Sequence, residues 1–320
     1  MLDALRFVQG AVAKKDLSPA LTHFRLAGGR ALGYNGLIAL SSPIDIEVEA
    51  APDAKTLVRA IERCKGDTTV VHLTDGGALS LKSGRFQAYV ECYPDPTALA
   101  GIEPEGEIVE APPAILQPFE KLLPLVGDDL SKPWAAGILL YGRSAFATNN
   151  VVLAEYWLGY PIPKPINIPG EAVREILRIG IQPTSMQVAE NSVTFHYPGE
   201  RWLRARLYSV EWPNVVPLLE APGTPKPLPD GFFEALATLK PFLPENSAVY
   251  FRAGRLQTRY TNGAGASVEI EGLPDKGAFN GKLLLTLDGL AHSADFTPHP
   301  KPCPFRGDNI RGVLIGMYDA

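Results

Sequence analysis

The hexapeptide Val58-Arg-Ala-Ile-Glu-Arg63 is echoed 115 residues later by Val173-Arg-Glu-Ile-Leu-Arg178. A repeat at domain-sized spacing constrains a fold more than local propensity does, because each copy must bury the same faces in the same order. At helical spacing Leu57, Val58, Ile61 and Cys64 form one apolar stripe, while Lys55, Arg59 and Arg63 fall at i, i+4 and i+8 on another line. The second copy keeps the pattern, with Arg174 and Arg178 four apart and Val173 and Ile176 on the apolar side. Taken alone, a row of cations on a helix reads as a solvated outer face.

The flanks repeat as well. TTVVHLTDGGALSLKSGRFQAYVECYPDP follows the first helix and TSMQVAENSVTFHYPGERWLRARLYSVEWPNV the second. Each reads as three alternating strands joined by Gly-, Asn- or Asp-containing turns, the pattern of consecutive hairpins. Upstream, Asp16-Leu-Ser-Pro19 is echoed by Asp129-Leu-Ser-Lys-Pro133, and THFRLAGGRALGYNGLIALSS parallels AAGILLYGRSAFATNNVVLAEYWL. A fainter third copy has a first helix at 229–243, a second at 280–293 and a last strand in NIRGVLIGMYDA, with a Pro-rich, irregular region at 294–309. Pro-rich linkers are expected at 103–113 and 220–230. The chain is therefore expected to be α+β, with three repeated domains at 1–106, 107–222 and 223–320. In each, antiparallel strands carry two helices on one face.

Composition limits what such a chain can do. A 46% hydrophobic content supports packed cores, and a net charge of −5 argues against a surface that is basic throughout while allowing a local basic lining. The three cysteines, Cys64, Cys92 and Cys303, are far apart and suggest no disulfide framework. The charged N-terminal segment is unlike a signal peptide, and no apolar run approaches the ~20 residues that span a bilayer. The expected setting is cytoplasmic, without a membrane partner. No Gly-x-Ser-x-Gly, phosphate-binding loop or Cys-x-x-Cys occurs, so neither an enzyme nor a cofactor is expected. His292, His299 and Cys303 are the one local His/Cys cluster, one ligand short of a closed zinc site, and are read as a loop.

This order of elements resembles the bacterial-type sliding clamp, the beta subunit of the replicative DNA polymerase. The resemblance rests on LRFVQGAVAKKDLSPALTHFRL, VRAIERC and SGRFQAYVECYPDP in the first repeat. In the second it rests on AFATNNVVLA and RLYSVEWPNVVP, and at the end on GVLIGMYDA. It implies a ring with sheets outside and helices inside, closed head to tail by two three-domain chains around duplex DNA. A structural or scaffold protein of repeated α+β domains is the alternative. On the clamp reading, Arg6, Lys14, Lys15, Lys55, Arg59, Arg63, Lys121, Arg174, Arg178, Lys240 and Lys282 would face phosphates without reading sequence. Leu81, Phe86, Phe242 and Leu243 would meet at the homodimer interface. An apolar groove at Thr148, Val151, Val152, Leu153, Pro217, Ile315 and Met317 would take short peptide motifs of the polymerase and the clamp loader. Val151 and Val152 stand where the family commonly has His-Arg, Gly316 replaces a Pro, Tyr318 replaces a basic residue, and the tail runs on through Asp319 and Ala320. Leu153, Ile315 and Met317 also read as ordinary core residues.

Overall fold

The computed structural model describes residues 1–15, 18–66, 68–129, 131–259 and 264–318. Parts of the two Asp-Leu-Ser echoes (Asp16, Leu17, Leu130) and the tail residues Asp319 and Ala320 lie outside them. Among the described residues every strand pairing is antiparallel. Among the described residues seven α-helices accompany the strands: α1 (Leu2–Val8), α2 (Ala54–Arg63), α3 (Leu116–Leu122), α4 (Gly170–Ile179), α5 (Val216–Leu219), α6 (Phe232–Leu239) and α7 (Gly281–Leu285). The chain forms two compact units. One comprises Met1–Leu116 with Glu171–Leu207, the other Gln117–Gly170 with Tyr208–Ala320.

The first unit holds a seven-stranded sheet in the order Arg25–Ala27, Arg30–Tyr34, Ile38–Pro43, Arg201–Arg206, Ser192–Tyr197, Ser185–Val188, Glu107–Glu110. A separate three-stranded sheet runs Val70–Leu73, Leu79–Ser83, Phe86–Val90. Helix α2 begins where the Asp53 carboxylate accepts from Thr56 N at 2.8 Å, which satisfies one of the free amides of the first turn. Its apolar stripe, Leu57, Val58, Ala60 and Ile61, is buried. Helix α1 packs beside α2 and against the Ile38–Pro43 strand.

Helix α4 buries Ala172, Val173 and Ile176, and also Glu175. Arg178 Nε donates to both carboxylate oxygens of Glu175, at 2.8 and 2.9 Å, and its Nη2 donates to the Phe7 carbonyl at 3.0 Å. A buried carboxylate needs this kind of paired, hydrogen-bonded partner. Gly10 leaves the space for it: a Cβ there would sit 1.8 Å from Glu175 Oε1. Phe7 contacts the Tyr197 ring edge-on at 5.9 Å, and Arg201 lies 5.3 Å from the Phe7 centroid. Burial, with the Glu175 charge adding to it, pushes the Tyr197 phenol well above its ordinary pKa.

The second unit holds an eight-stranded sheet in the order Ile166–Pro169, Gly137–Tyr141, Ser144–Thr148, Val152–Trp157, Ile310–Ile315, Pro302–Gly307, Ser293–Ala294, Lys226–Pro227. Its four-stranded sheet runs Ser267–Glu269, Arg255–Gln257, Ala248–Arg252, Gly277–Asn280. An aromatic cluster of Phe232, Phe251, Phe279 and Phe296 forms one part of the core of this unit, with centroid spacings between 5.0 and 6.3 Å.

Four expectations change. The predicted linker at 103–113 contains the edge strand Glu107–Glu110, paired to Ser185–Val188. Just upstream, Leu99 and Ile102 pack on Leu32, Ala39 and Trp202 of the sheet. The predicted linker at 220–230 carries the short strand Lys226–Pro227. The region 294–309 is not irregular throughout, since Pro302–Gly307 pairs along its length with Ile310–Ile315. Pro302 and Pro304 are tolerated because the neighbour on the other side, Ser293–Ala294, pairs only with Phe305 and Arg306. The third repeat's second helix is also shorter than 280–293. It spans Gly281–Leu285 from an Asn280 cap and continues as turns.

Gly10→Ala is expected to lower stability by about 1–3 kcal/mol, because the Glu175 carboxylate it strikes is pinned from the far side by Arg178. Urea denaturation followed by circular dichroism would test this; an unchanged midpoint would mean the pair moves aside freely.

Candidate nucleic-acid interface and peptide groove

Lys55, Arg59 and Arg63 stand fully on the outer side of α2, exposed, and make no ion pair among the described residues. At 1.5 Å of rise per residue, successive members of this row are about 6 Å apart along the helix axis. Arg174 on α4 is likewise exposed and free of ion pairs among the described residues. Lys14 and Lys15, past the 3-10 turn that follows α1, are exposed.

Two members of the predicted cation set are already engaged. Arg6 pairs with Glu62 of α2 at 2.9 Å, and Arg178 holds Glu175 and the Phe7 carbonyl. The spacing that placed Arg174 and Arg178 in one row could not distinguish them, because the buried Glu175 that claims Arg178 lies three residues away on the same helix. In the second unit, Lys240 and Lys282 are exposed and Lys121 is half-buried.

The groove residues gather on one end of the eight-stranded sheet. Leu153, Val313, Phe146 and Leu139 form a floor on which Val215 and Leu219 of the α5 segment pack, with Trp212 alongside. Thr148 Oγ1 donates to the Val152 carbonyl at 2.7 Å and closes the turn. Ile315 N donates to the Val151 carbonyl at 2.9 Å, so Ile315 and Val151 lie side by side at the rim. Ile315, Pro217 and the neighbouring Val216 and Leu218 are exposed, and Met317 is half-buried. Leu153 is thus a core residue covered by the α5 segment, with the exposed positions of the expected groove around it. Val152 departs from the expectation: strand alternation turns it to the opposite face, where it is fully buried. The sequence reading missed Trp212, Val216 and Leu218; an apolar segment flanking Pro217 was the available signal.

Of the four expected interface residues, Phe242 is 58% exposed, and Phe86 and Leu243 are half-buried. Leu81 is corrected: it is fully buried, on the inward side of its strand, and cannot meet a partner. Within the His/Cys cluster, His292 Nε2 lies 3.2 Å from Asp308, His299 Nε2 lies 2.8 Å from the Met317 carbonyl, and Cys303 Sγ faces the Lys301 carbonyl. Burial pushes the Cys303 thiol up to about 12.

The chain matches no family model and no curated protein sequence. Solved structures match over the whole length. The DNA polymerase sliding clamp of Bacillus subtilis superposes with a TM-score of 0.84 at 17% identity, covering 100% of this chain and 97% of that one. A Caulobacter crescentus beta sliding clamp, with polyethylene glycol bound to its putative beta-motif tethering region, gives 0.80 at 19% identity, covering 99% and 97%. The Pseudomonas aeruginosa DNA polymerase III subunit beta bound to griselimycin gives 0.79 at 16%, covering 100% and 97%. The chain therefore has the α+β fold of the bacterial sliding clamps. No described helix is long and apolar enough to cross a membrane.

Ile315→Asp, at an exposed position, and Met317→Asp, at a half-buried one, test the expected groove: the folded state should persist while affinity for a short apolar peptide falls at least tenfold. Fluorescence anisotropy would decide; unchanged binding would remove the groove from this end of the sheet.

Proposed function

We propose that this chain is a DNA sliding clamp: a ring of two copies that encircles duplex DNA and tethers a polymerase by short peptide motifs. The full-length likeness to sliding clamps at TM-scores of 0.79–0.84 carries the reading. The free cationic row on α2, joined by Arg174, supplies what such a ring needs, a weak attraction to phosphates with no sequence information. Lys14, Lys15, Lys240 and Lys282 are further phosphate contacts, and Arg6, Lys121 and Arg178 weaker ones. Retention on DNA then comes from topology.

Assembly follows from a rule the chain applies twice. The third strand of the first repeat, Ile38–Pro43, pairs with the last strand of the second, Arg201–Arg206. The third strand of the second repeat, Val152–Trp157, pairs with the last strand of the third, Ile310–Ile315. A third application joins Ser267–Glu269, an edge strand of the four-stranded sheet and the counterpart of the third strands above, to Phe86–Val90, an edge strand of the three-stranded sheet and the last strand of the first repeat, in a second copy. Both edges would otherwise expose unpaired backbone groups. Their charges are complementary. Asp230, Glu234, Glu269 and Glu271 line a cleft beside the first edge, and Lys82 and Arg85 are exposed beside the second. On this reading 1–106, 107–222 and 223–320 are the three domains, and two copies supply six.

Light scattering across a concentration series should give a dimer, and Lys82→Glu with Arg85→Glu should weaken it by about tenfold or more. A wild-type monomer at micromolar concentration would end the ring reading. For DNA, Arg59→Ala with Arg63→Ala should lower the salt slope of binding to a linear duplex by about 2. Loaded protein should stay on nicked circular DNA and leave once it is linearised; equal loss from both forms would exclude encirclement.

A further inference from the structure

The same turn is found in both units. In the second unit, Asn149 Oδ1 accepts from Val151 N and Val152 N, and Ile315 N donates to the Val151 carbonyl at 2.9 Å. In the first unit, Asn35 Oδ1 accepts from Leu37 N and Ile38 N, and Arg206 N donates to the Leu37 carbonyl at 2.9 Å. The strand registers agree too, with Leu153 opposite Val313 and Ala39 opposite Arg204. Tyr34, Leu37, Ala39, Arg204 and Arg206 thus hold in the first unit the places of Thr148, Val151, Leu153, Val313 and Ile315 in the second. Those five line a cleft of about 250 Å³, completed by Asn191 and Ser192.

The backbone is shared and the chemistry is not. Two apolar residues, Val313 and Ile315, become two arginines. Arg206 is exposed and makes no ion pair among the described residues. Arg204 donates from Nε to Ser192 Oγ at 3.3 Å and pairs with Glu105 at 2.9 Å, where the Glu105 side chain is 57% exposed. The Asn191 side chain is exposed at the mouth, and Ala39, Leu37 and Tyr34 keep an apolar wall.

We propose that this cleft is a second peptide-docking subsite, one that takes an acidic segment carrying an apolar side chain. A carboxylate meets Arg206 and a second displaces the exposed Glu105 from Arg204, forming charge-assisted hydrogen bonds. The apolar side chain lies against Leu37 and Ala39. That wall favours a peptide over a nucleic-acid phosphate, which has nothing to place there. The inference leans on the peptide reading of the second unit's groove for its analogy, but the charge and shape of the cleft are its own.

Two fluorescein-labelled hexapeptides separate the cases, one acidic with a central Leu-Phe and one uncharged and apolar, titrated by anisotropy with the full chain. Arg206→Glu should weaken the acidic peptide about tenfold, Arg206→Ala less, and Met317→Asp not at all; affinity should fall as salt rises. Equal binding by Arg206→Glu, loss with Met317→Asp, or no binding at millimolar protein would overturn the proposal. So would an effect of Arg206→Glu on duplex DNA with the peptide unchanged. The apolar peptide reports on the second unit alone. If it binds in a Met317-dependent way while the acidic one does not bind, this proposal fails and the groove reading survives. The reverse pattern overturns the groove reading and supports this one.

Discussion

The fold depends on how strand edges are closed. An edge strand presents unpaired amides and carbonyls, and a repeat built of small sheets has many of them. Here the solution is pairing between remote parts of the chain. Ile38–Pro43 meets Arg201–Arg206, more than 150 residues away, and Val152–Trp157 meets Ile310–Ile315 at a similar separation. These two junctions turn four small sheets' worth of strands into two large ones. They also explain why each compact unit draws on segments far apart in sequence. Such non-local pairing is slow to form, because loop closure must precede the contacts that reward it.

The junctions set the conditions under which the helices act. With α1, α2 and α4 packed by their apolar stripes, charged side chains are left on the opposite side. Position alone does not make a cation available. The Glu175 carboxylate is buried beside Gly10 and needs a partner, so Arg178 is held by it and by the Phe7 carbonyl of α1. Glu62 takes Arg6 in the same manner, though at an exposed site where the pair contributes little to stability. Of the cations on these three helices, the α2 row and Arg174 make no ion pair among the described residues. An acidic chain thus has a local cationic row without contradiction between the two.

Much of this was legible in the sequence. The Val-Arg-x-Ile-x-Arg frame located α2 and α4, because amphipathic spacing and cationic spacing agree there. Hairpin turns at Asp75-Gly-Gly77, Ser83-Gly84 and Pro198-Gly-Glu200 located the strands. The failures have physical causes. Glu107–Glu110 was hidden among prolines, and an edge strand needs only one neighbour, so it leaves a weak alternating signal. Pro302 and Pro304 argued against a strand, and the strand forms because its shorter neighbour makes no demand on their missing N–H groups. Leu81 and Val152 were misplaced for a third reason. Alternation shows that two faces differ but not which one is inward until the covering elements are known.

The paired turns show where side-chain chemistry separates from fold. Asn35 and Asn149 build the same turn with the same hydrogen bonds, and the strand beside each continues the same ladder. The backbone demands stop there. Beyond the turn, Arg204 and Arg206 replace Val313 and Ile315 at no cost to the ladder, because the strand uses only their main-chain groups and their side chains reach the cleft or solvent. At the exposed pair, Arg206 and Ile315, substitution is therefore limited by what lies beside the strand rather than by the ladder, whereas Val313 is also held by its place in the core. Chemistry that is cheap for the fold and specific for a ligand is where two copies of one scaffold are free to diverge.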